Sequence, residues 1–138
     1  MNFWLVKQEP DAFSWDDFLR EGLAVWDGVR NYAARNNLQG MKLGDLVLFY
    51  HSVTGKCVMG IGRVSREHYP DPTTDDARWV AVEMTPVKPL TQPVSLTDIK
   101  AHSGLQDIYL VRQGRLSVMP LPPVAFHILL EMGRTTLE

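Results

Sequence analysis

The sequence predicts an α+β fold, in which a small β-barrel of about five or six strands is flanked by short helices. Residues 46–50 form a continuous apolar run, which is typical of a strand buried on both faces. Residues 58–64 form a second strand signal, with Gly60 and Gly62 on the same face. Two glycines on one face indicate a bulge, a sharp bend or the close approach of another group. Together these features favour a small barrel over an open sheet.

The other early elements follow from local signals. Residues 3–6 predict a short buried first strand, and residues 79–87 alternate apolar and polar side chains as a strand does. Ser14 and Asp17 have the spacing of a capping box, so we expect a helix to begin after Ser14. Gly22 is placed to end that helix.

Short helices are also predicted later in the chain. Residues 31–38 indicate one, and Ser95 with Asp98 predicts the start of another. Pro123 suits the first turn of a last helix, which Gly133 can end.

Prolines and a polar turn interrupt the second half. Pro86, Pro89 and Pro93 predict that the chain leaves regular structure and runs over the surface. Further along, residues 110–111 and 116–118 are apolar segments that flank a polar turn.

Composition predicts one soluble domain. The chain has 138 residues, of which 45% are hydrophobic and 22% are charged. It contains no apolar run long enough for a membrane span and no secretory signal pattern. Cys57 is the only cysteine, which fits a reducing compartment, so we expect a cytoplasmic protein. The expected domain covers residues 1–136, and residues 137–138 could be a cloning remnant.

The charge of the chain argues against one mode of binding. The formal net charge is −2 and the chain has no run of Lys and Arg. Proteins that hold nucleic acid mainly through its phosphates are usually basic. If this protein binds nucleic acid, we expect a local basic patch beside a pocket that recognises one or a few bases.

Residues 25–37 concentrate groups that suit a flat, polar ligand. This stretch holds two aromatic residues, two arginines and three asparagines. Nucleobases stack on aromatic rings and present hydrogen-bonding edges. The alternative is that Trp26 and Tyr32 are core residues and that the asparagines form turns.

Several segments together resemble an EVE domain, which belongs to the PUA-like superfamily and is related to YTH domains. The matching segments are residues 4–10, 26–32, 34–37, Met41, 44–45, 48–52, 60–62, 69–71, 93–96 and 110–118. The resemblance implies a barrel with a pocket at one end that binds a modified base in DNA or RNA, without a cofactor. The YTH relatives hold methylated adenine in an aromatic cage, and Trp26 lies where they place one cage tryptophan. This chain has Gln8 and Gly114 where the family usually has serine, so the specificity of relatives is not carried over.

The ligand-binding candidates have specific roles. They are Lys7, Gln8, Glu9, Trp26, Val29, Arg30, Asn31, Tyr32, His51 and Ser52. Trp26 is the first choice for a stacking platform, with a half-buried core tryptophan as the alternative. Asn31 can offer a donor and an acceptor to a base edge, or it can cap a helix. Gln8 could bond a base edge, and Glu9 could accept from an exocyclic amine or pair with an arginine.

Three further arginines are candidates for binding phosphate, namely Arg35, Arg112 and Arg115. Arg112 and Arg115 could instead form salt bridges with Glu9 or Asp45.

The leading functional hypothesis is a non-catalytic, monomeric reader of a modified base that acts beside a separate effector protein. A second hypothesis is an enzyme that acts on a nucleotide, with His51, Glu9 and Asp27 as acid–base groups. It lacks a paired nucleophile, a phosphate-binding glycine loop and a metal-ligand set. A third is a module that binds a small metabolite or a protein in the same pocket. The choice between DNA and RNA stays open.

Overall fold

The computed structural model describes residues 1–137 and contains a six-stranded mixed sheet flanked by short helices. In chain order the elements are β1 (Phe3–Gln8), α1 (Trp15–Glu21), β2 (Ala24–Trp26), α2 (Tyr32–Gly40), β3 (Leu46–His51), β4 (Cys57–Pro70), β5 (Val80–Ser95), α3 (Leu96–Ala101), a 3₁₀ turn (Ser103–Leu105), α4 (Tyr109–Arg112), β6 (Val118–Leu121) and α5 (Pro123–Met132). The α+β class and the number of strands are confirmed.

The sheet is not closed into a barrel. The strand order is β2-β5-β4-β3-β1-β6, so β2 and β6 are its two edges. Only β1 and β3 are parallel neighbours, and the other pairs are antiparallel. Helix α2 packs against both β5 and β6. The helix therefore connects the β6 edge with β5, the strand next to the other edge, and closure of the barrel is the part of the fold prediction that was wrong.

An aromatic cluster fills one face of the sheet around Phe49. The rings of Trp15, Phe18 and Trp26 lie 5.6, 5.6 and 5.7 Å from the Phe49 ring, measured between centroids. Gly60 is the partner of Phe49 on β4, and a Cβ atom added there would lie 2.3 Å from Trp15 Cζ2. The prediction that a group closely approaches this glycine is confirmed. The pairing of β3 with β4 also shifts register between Phe49 and Tyr50.

The helix caps agree with the local signals. Ser14 and Asp17 form a complete capping box at α1, and Gly22 ends that helix with a φ of 72°. The Ser95 side chain caps α3. Pro123 opens α5, and Gly133 follows its last residue.

The prediction for the three prolines was wrong. Pro86, Pro89 and Pro93 lie inside β5, which continues to Ser95. A proline is tolerated in a strand where its missing N–H is not needed by a neighbour. The partner β2 pairs only with residues 82–84, so the proline-bearing part of β5 has no neighbouring strand on that side within residues 1–137, and its pairing with β4 is irregular.

Two other segments differ from the expected pattern. Residues 110–111 belong to helix α4, whereas Val118 begins β6 after the predicted polar turn. The short strand β2, which carries Trp26, was not predicted.

Candidate functional site

The carboxyl ends of β1 and β3 lie side by side, because these strands are parallel. Lys7 is the neighbour of Tyr50, and Gln8 is the neighbour of His51. Successive residues of a strand point to opposite faces of a sheet. Lys7 and Tyr50 therefore face one side and Gln8 and His51 face the other, so the candidates at these strand ends do not converge on one pocket.

Gln8 lines a cleft with a volume of about 520 Å³, which we call the Trp26 cleft. Its lining residues are Gln8, Phe13, Glu21, Leu23, Ala24, Val25, Trp26 and Asp27. The walls thus combine aromatic and aliphatic side chains with one carboxamide and two carboxylates. No lysine or arginine is among these lining residues.

Trp26 belongs to the core and to the cleft at the same time. Only 6% of its surface is exposed, and its ring meets Phe49 edge-on. This packing holds the Trp26 ring in place, and a ligand in the cleft would contact the small exposed part of the ring at the floor.

The polar groups that line the Trp26 cleft are two carboxylates and the Gln8 carboxamide, whose Oε1 atom accepts a hydrogen bond of 3.1 Å from the backbone N–H of Glu9. Within residues 1–137, neither Glu21 nor Asp27 receives a hydrogen bond from another side chain. Burial, and then the charge of Asp71, raises the pKa of Asp27 above its usual range. The raised pKa means that the charged form of Asp27 is less favourable here than in water.

His51 has a structural role on the same side of the sheet. Its Nε2 atom accepts a hydrogen bond of 2.9 Å from the backbone N–H of Trp15, the first residue of α1. Burial lowers the pKa of His51, with Asp16 acting weakly in the opposite direction. The neutral imidazole is therefore favoured and its acceptor nitrogen is occupied, so His51 is poorly placed to bind a ligand at the rim.

Asp71 anchors the loop that follows Trp26. Its carboxylate accepts hydrogen bonds from the backbone N–H of Gly28 at 2.8 Å, from Arg30 Nη1 at 2.9 Å and from the Thr73 N–H and hydroxyl at 2.7 and 2.6 Å. Burial alone would raise the pKa of Asp71, but the hydrogen bonds from Thr73, Arg30 and Gly28 outweigh it and hold this pKa well below its usual range. Asp71 was not among the predicted site residues, although it lies in the segment 69–71 that carries the family resemblance.

Beyond this anchor, arginines pack on two aromatic rings, and we call this region the arginine–aromatic surface (Arg30, Tyr32, Arg35, Arg78 and Trp79). Tyr32 is 49% exposed, and its ring lies 5.1 Å from that of Trp79. The guanidinium carbons of Arg30 and Arg78 lie 5.6 and 5.8 Å from the Trp79 ring, and that of Arg35 lies 5.1 Å from the Tyr32 ring. Arg78 and Trp79 were not among the predicted site residues, because they are distant from Tyr32 in the sequence and contact it only in the folded protein.

The remaining candidates of this region have structural partners. The Asn31 side chain accepts from the N–H of Ala34 at 2.9 Å, so the alternative of a helix N-cap is confirmed. Val29 is 9% exposed and belongs to the core. Arg35 donates to Asn36 and to the carbonyl of Arg78.

Arg112 and Arg115 do not form the alternative salt bridges with Glu9 or Asp45. Arg112 pairs with Asp107 at 3.0 Å, and Arg115 is exposed with no hydrogen bond or ion pair among residues 1–137. Asp45 is buried and accepts instead from Trp4 Nε1 and two backbone N–H groups. The carboxylate of Glu9 is exposed at the end of β1.

The described part of the chain contains no group of three or more His, Cys, Asp or Glu residues that could hold a metal ion. Among residues 1–137, none of the helices has the length and apolar character that crossing a bilayer requires.

Comparison with known proteins gives consistent results. The profile of the EVE domain family matches residues 2–132. The chain is 33% identical to mouse thymocyte nuclear protein 1 across 97% of its own length and 74% of that protein.

Solved structures have the same fold. The protein Atu2648 from Agrobacterium tumefaciens superposes with a TM-score of 0.96 at 41% identity, covering 98% of this chain and 94% of that one. Human THYN1 protein, solved in complex with DNA containing 5-methylcytosine, superposes with a TM-score of 0.90 at 29% identity, covering 99% of both chains. The match to the family profile spans nearly the whole sheet and its helices, and this chain belongs to the EVE domain family.

Proposed function

We propose that this protein binds nucleic acid by holding one modified base in the Trp26 cleft, and that the base carries an exocyclic amino group, as 5-methylcytosine does. The observation that carries the proposal is the lining of the cleft, which combines the acceptor carboxylates of Glu21 and Asp27 and the carboxamide of Gln8 with an aromatic floor. The human relative bound to DNA with 5-methylcytosine supports the same reading.

The cleft suits a base better than a phosphate. Its volume of about 520 Å³ lies in the range of small-ligand pockets. Two carboxylates and no cation in the lining would repel a phosphate group. A flat, uncharged base meets no such repulsion and buries its faces against Trp26 and Phe13.

The acceptors indicate which base edge is recognised. Cytosine presents its N4 amino group as a donor at the position where thymine presents the O4 acceptor. Asp27 and Glu21 offer only acceptor atoms when ionised. Cytosine-type bases are therefore favoured over thymine-type bases, and a methyl group at C5 adds apolar surface that Leu23 and Val25 can cover.

The nucleic-acid strand that carries the base needs contacts with the protein outside the cleft. The segment from Asp27 to Asn31 leads directly from the cleft to the arginine–aromatic surface. We propose that Arg30 and Arg35 keep their internal partners and offer their remaining donors to phosphates, and that Arg115 makes a similar contact.

We further propose that the domain is a reader without catalytic activity, that it is a cytoplasmic monomer and that it works beside a separate effector protein. The single cysteine supports a reducing compartment. The Nε2 atom of His51 already accepts a hydrogen bond from the N–H of Trp15, which supports a binding role over acid–base chemistry.

The test is fluorescence anisotropy with labelled oligonucleotides. Single- and double-stranded DNA and RNA would each carry one central cytosine, 5-methylcytosine or thymine. We expect the strongest binding to an oligonucleotide with 5-methylcytosine. The variant Asp27→Asn should weaken that binding about tenfold or more, because a hydrogen bond to a charged group is worth about 1.5–3 kcal/mol.

Two further variants separate binding from folding. Trp26→Phe keeps an aromatic ring in the core and should weaken binding, because it reduces the area available for stacking. Glu131→Gln removes an exposed carboxylate on α5, away from the cleft, and should leave affinity unchanged. If a folded protein binds no oligonucleotide, or binds all three bases equally, the proposal is wrong.

A further inference from the structure

A second cleft lies on the side of the sheet to which Lys7 and Tyr50 point. It has a volume of about 460 Å³, and we call it the lysine cleft. Its lining residues are Lys7, Tyr50, Ser52, Val53, Lys56, Leu96, Lys100, Leu110, Val111 and Gly114. It is separated from the Trp26 cleft by the sheet itself, because Lys7 and Gln8 are consecutive residues of β1 that face opposite sides.

The charge of this cleft is unusual for this chain. The whole sequence has five lysines and a net charge of −2, yet three of those lysines line this one cleft. No carboxylate is among the lining residues. Asp98 on α3 is the acidic residue close to this region, and it is exposed. A concave site lined by one sign of charge concentrates its electrostatic field on a ligand of the opposite sign.

The donors in the lysine cleft are available. Within residues 1–137 no hydrogen-bond partner is found for the side chains of Ser52, Lys56 and Lys100 or for the Tyr50 hydroxyl. Burial, with a smaller effect of Cys57, raises the pKa of Tyr50 to about 12, so its hydroxyl keeps its proton. Four separate donor side chains thus surround the cleft.

Lys7 gives the cleft a partly buried ammonium group. Its Nζ atom donates to the carbonyl of Gly114 at 2.6 Å and lies 6.0 Å from the Tyr50 ring. Burial lowers the pKa of Lys7 below its usual range. Taking a charge out of water costs free energy, and an anion bound beside Lys7 would offset that cost.

The loop that carries Lys56 is held in an unfavourable backbone conformation. Val53 and Lys56 have φ angles of 67° and 34°, and they are two of the three non-glycine residues with positive φ in the described chain. A positive φ is rare for a β-branched residue and costs about 1–3 kcal/mol. Such strain is concentrated at functional sites, and here it brings Lys56 to the rim of the cleft.

We propose that the lysine cleft is a second binding site that takes a phosphate group, on the side of the sheet opposite the Trp26 cleft. The phosphate can belong to a small phosphorylated molecule or to a nucleic-acid backbone. Lys7, Lys56 and Lys100 supply the charge, and Tyr50 and Ser52 supply hydroxyl donors. Leu96, Leu110 and Val111 contact the uncharged part of the ligand. This site does not depend on base binding in the Trp26 cleft.

The first arm of the test uses small probes. Inorganic phosphate and deoxycytidine monophosphate would be titrated into the ¹⁵N-labelled protein while amide shifts are recorded by NMR. We expect saturable shifts in residues 52–56 and 110–114. The double variant Lys56→Gln/Lys100→Gln should weaken this binding at least tenfold, whereas Lys42→Gln, an exposed lysine outside the cleft, should not.

The second arm uses unmodified single-stranded DNA without a terminal phosphate, titrated by anisotropy at several salt concentrations. Each lysine that contacts a phosphate of a single strand adds about 0.7 to the slope of log affinity against log salt. A reduced slope in the double variant assigns the cleft to the backbone, and an unchanged slope with saturable binding of the small probes assigns it to a small phosphorylated ligand.

The proposal is wrong if neither arm distinguishes the double variant from Lys42→Gln. Thermal unfolding of each variant checks that the fold is kept, since all three positions are exposed. The preference for 5-methylcytosine over cytosine should be equal in the double variant and the wild type. Failure of the lysine cleft is therefore distinguishable from failure of the Trp26 cleft.

Discussion

Gly60 is a residue at which the absence of a side chain allows the aromatic cluster to form. An alanine there would place its Cβ atom 2.3 Å from Trp15 Cζ2, which is far inside van der Waals contact. We expect Gly60→Ala to lower the free energy of unfolding by about 1–3 kcal/mol, because the Trp15 ring and its neighbours must move in a close-packed core. Urea denaturation monitored by tryptophan fluorescence would measure the change.

Gly114 provides the matched control for Gly60. It has no heavy atom within 4 Å of an added Cβ, so Gly114→Ala should change stability by less than about 0.5 kcal/mol. Equal effects of the two substitutions would contradict the steric explanation.

Among the elements, α2 depends on a residue that was also a candidate for reading the base. Asn31 caps this helix through the N–H of Ala34. Asn31→Ala should destabilise the protein by about 0.5–2 kcal/mol, because an N-terminal N–H of the helix loses its acceptor. Asn31→Ser keeps a capping oxygen and should keep most of that stability, as measured by urea denaturation.

The same pair of variants tests the second role of Asn31. Both should bind the oligonucleotide with 5-methylcytosine as the wild type does if Asn31 only caps α2. Loss of affinity in a fully stable Asn31→Ser protein would show that the amide also contacts the ligand.

Two elements that are distant in the sequence are joined by Asp71. Its carboxylate ties the segment after β2 to the loop before β5 through Gly28, Arg30 and Thr73. This arrangement explains how a three-residue edge strand holds Trp26 in one position, and it makes the loop depend on an ionised carboxylate.

For the whole molecule, two lowered pKa values predict how stability depends on pH. His51 and Asp71 both bind a proton less readily in the folded protein than in the unfolded chain. Each contribution to stability is complete above the pKa of the unfolded state and is lost as the pH falls below it. We expect the melting temperature to change little between about pH 7 and pH 8, to fall first below about pH 6.5 and to fall again below about pH 4.

The variant His51→Gln separates the two steps. Glutamine keeps an acceptor for the Trp15 N–H but does not titrate, so the decline that begins near pH 6.5 should disappear while the decline below about pH 4 remains. A wild-type melting temperature that stays constant from pH 7 to pH 5 would contradict the role of His51.

Features encoded within a few residues were predictable. The capping box at Ser14, the left-handed Gly22 and the proline at the start of α5 depend only on their neighbours in sequence. The close approach at Gly60 was also indicated, although the sequence did not show that Trp15 was the approaching group. The prediction for the prolines of β5 was wrong, because the lack of a second neighbouring strand, which lets β5 tolerate them, is a property of strand pairing.

The sequence by itself determined the α+β class and the family, because periodicity, caps and motifs are local, and the binding role of the stretch around Trp26 stays a prediction. Only the tertiary structure decided that Lys7 and Gln8 line two clefts on opposite sides of the sheet, and that Asp71, Arg78 and Trp79 contact the segment that follows Trp26. The physical reason is that strand order and register bring residues more than 40 positions apart into contact. Those contacts set the burial, the charge and the hydrogen-bond partners on which binding depends.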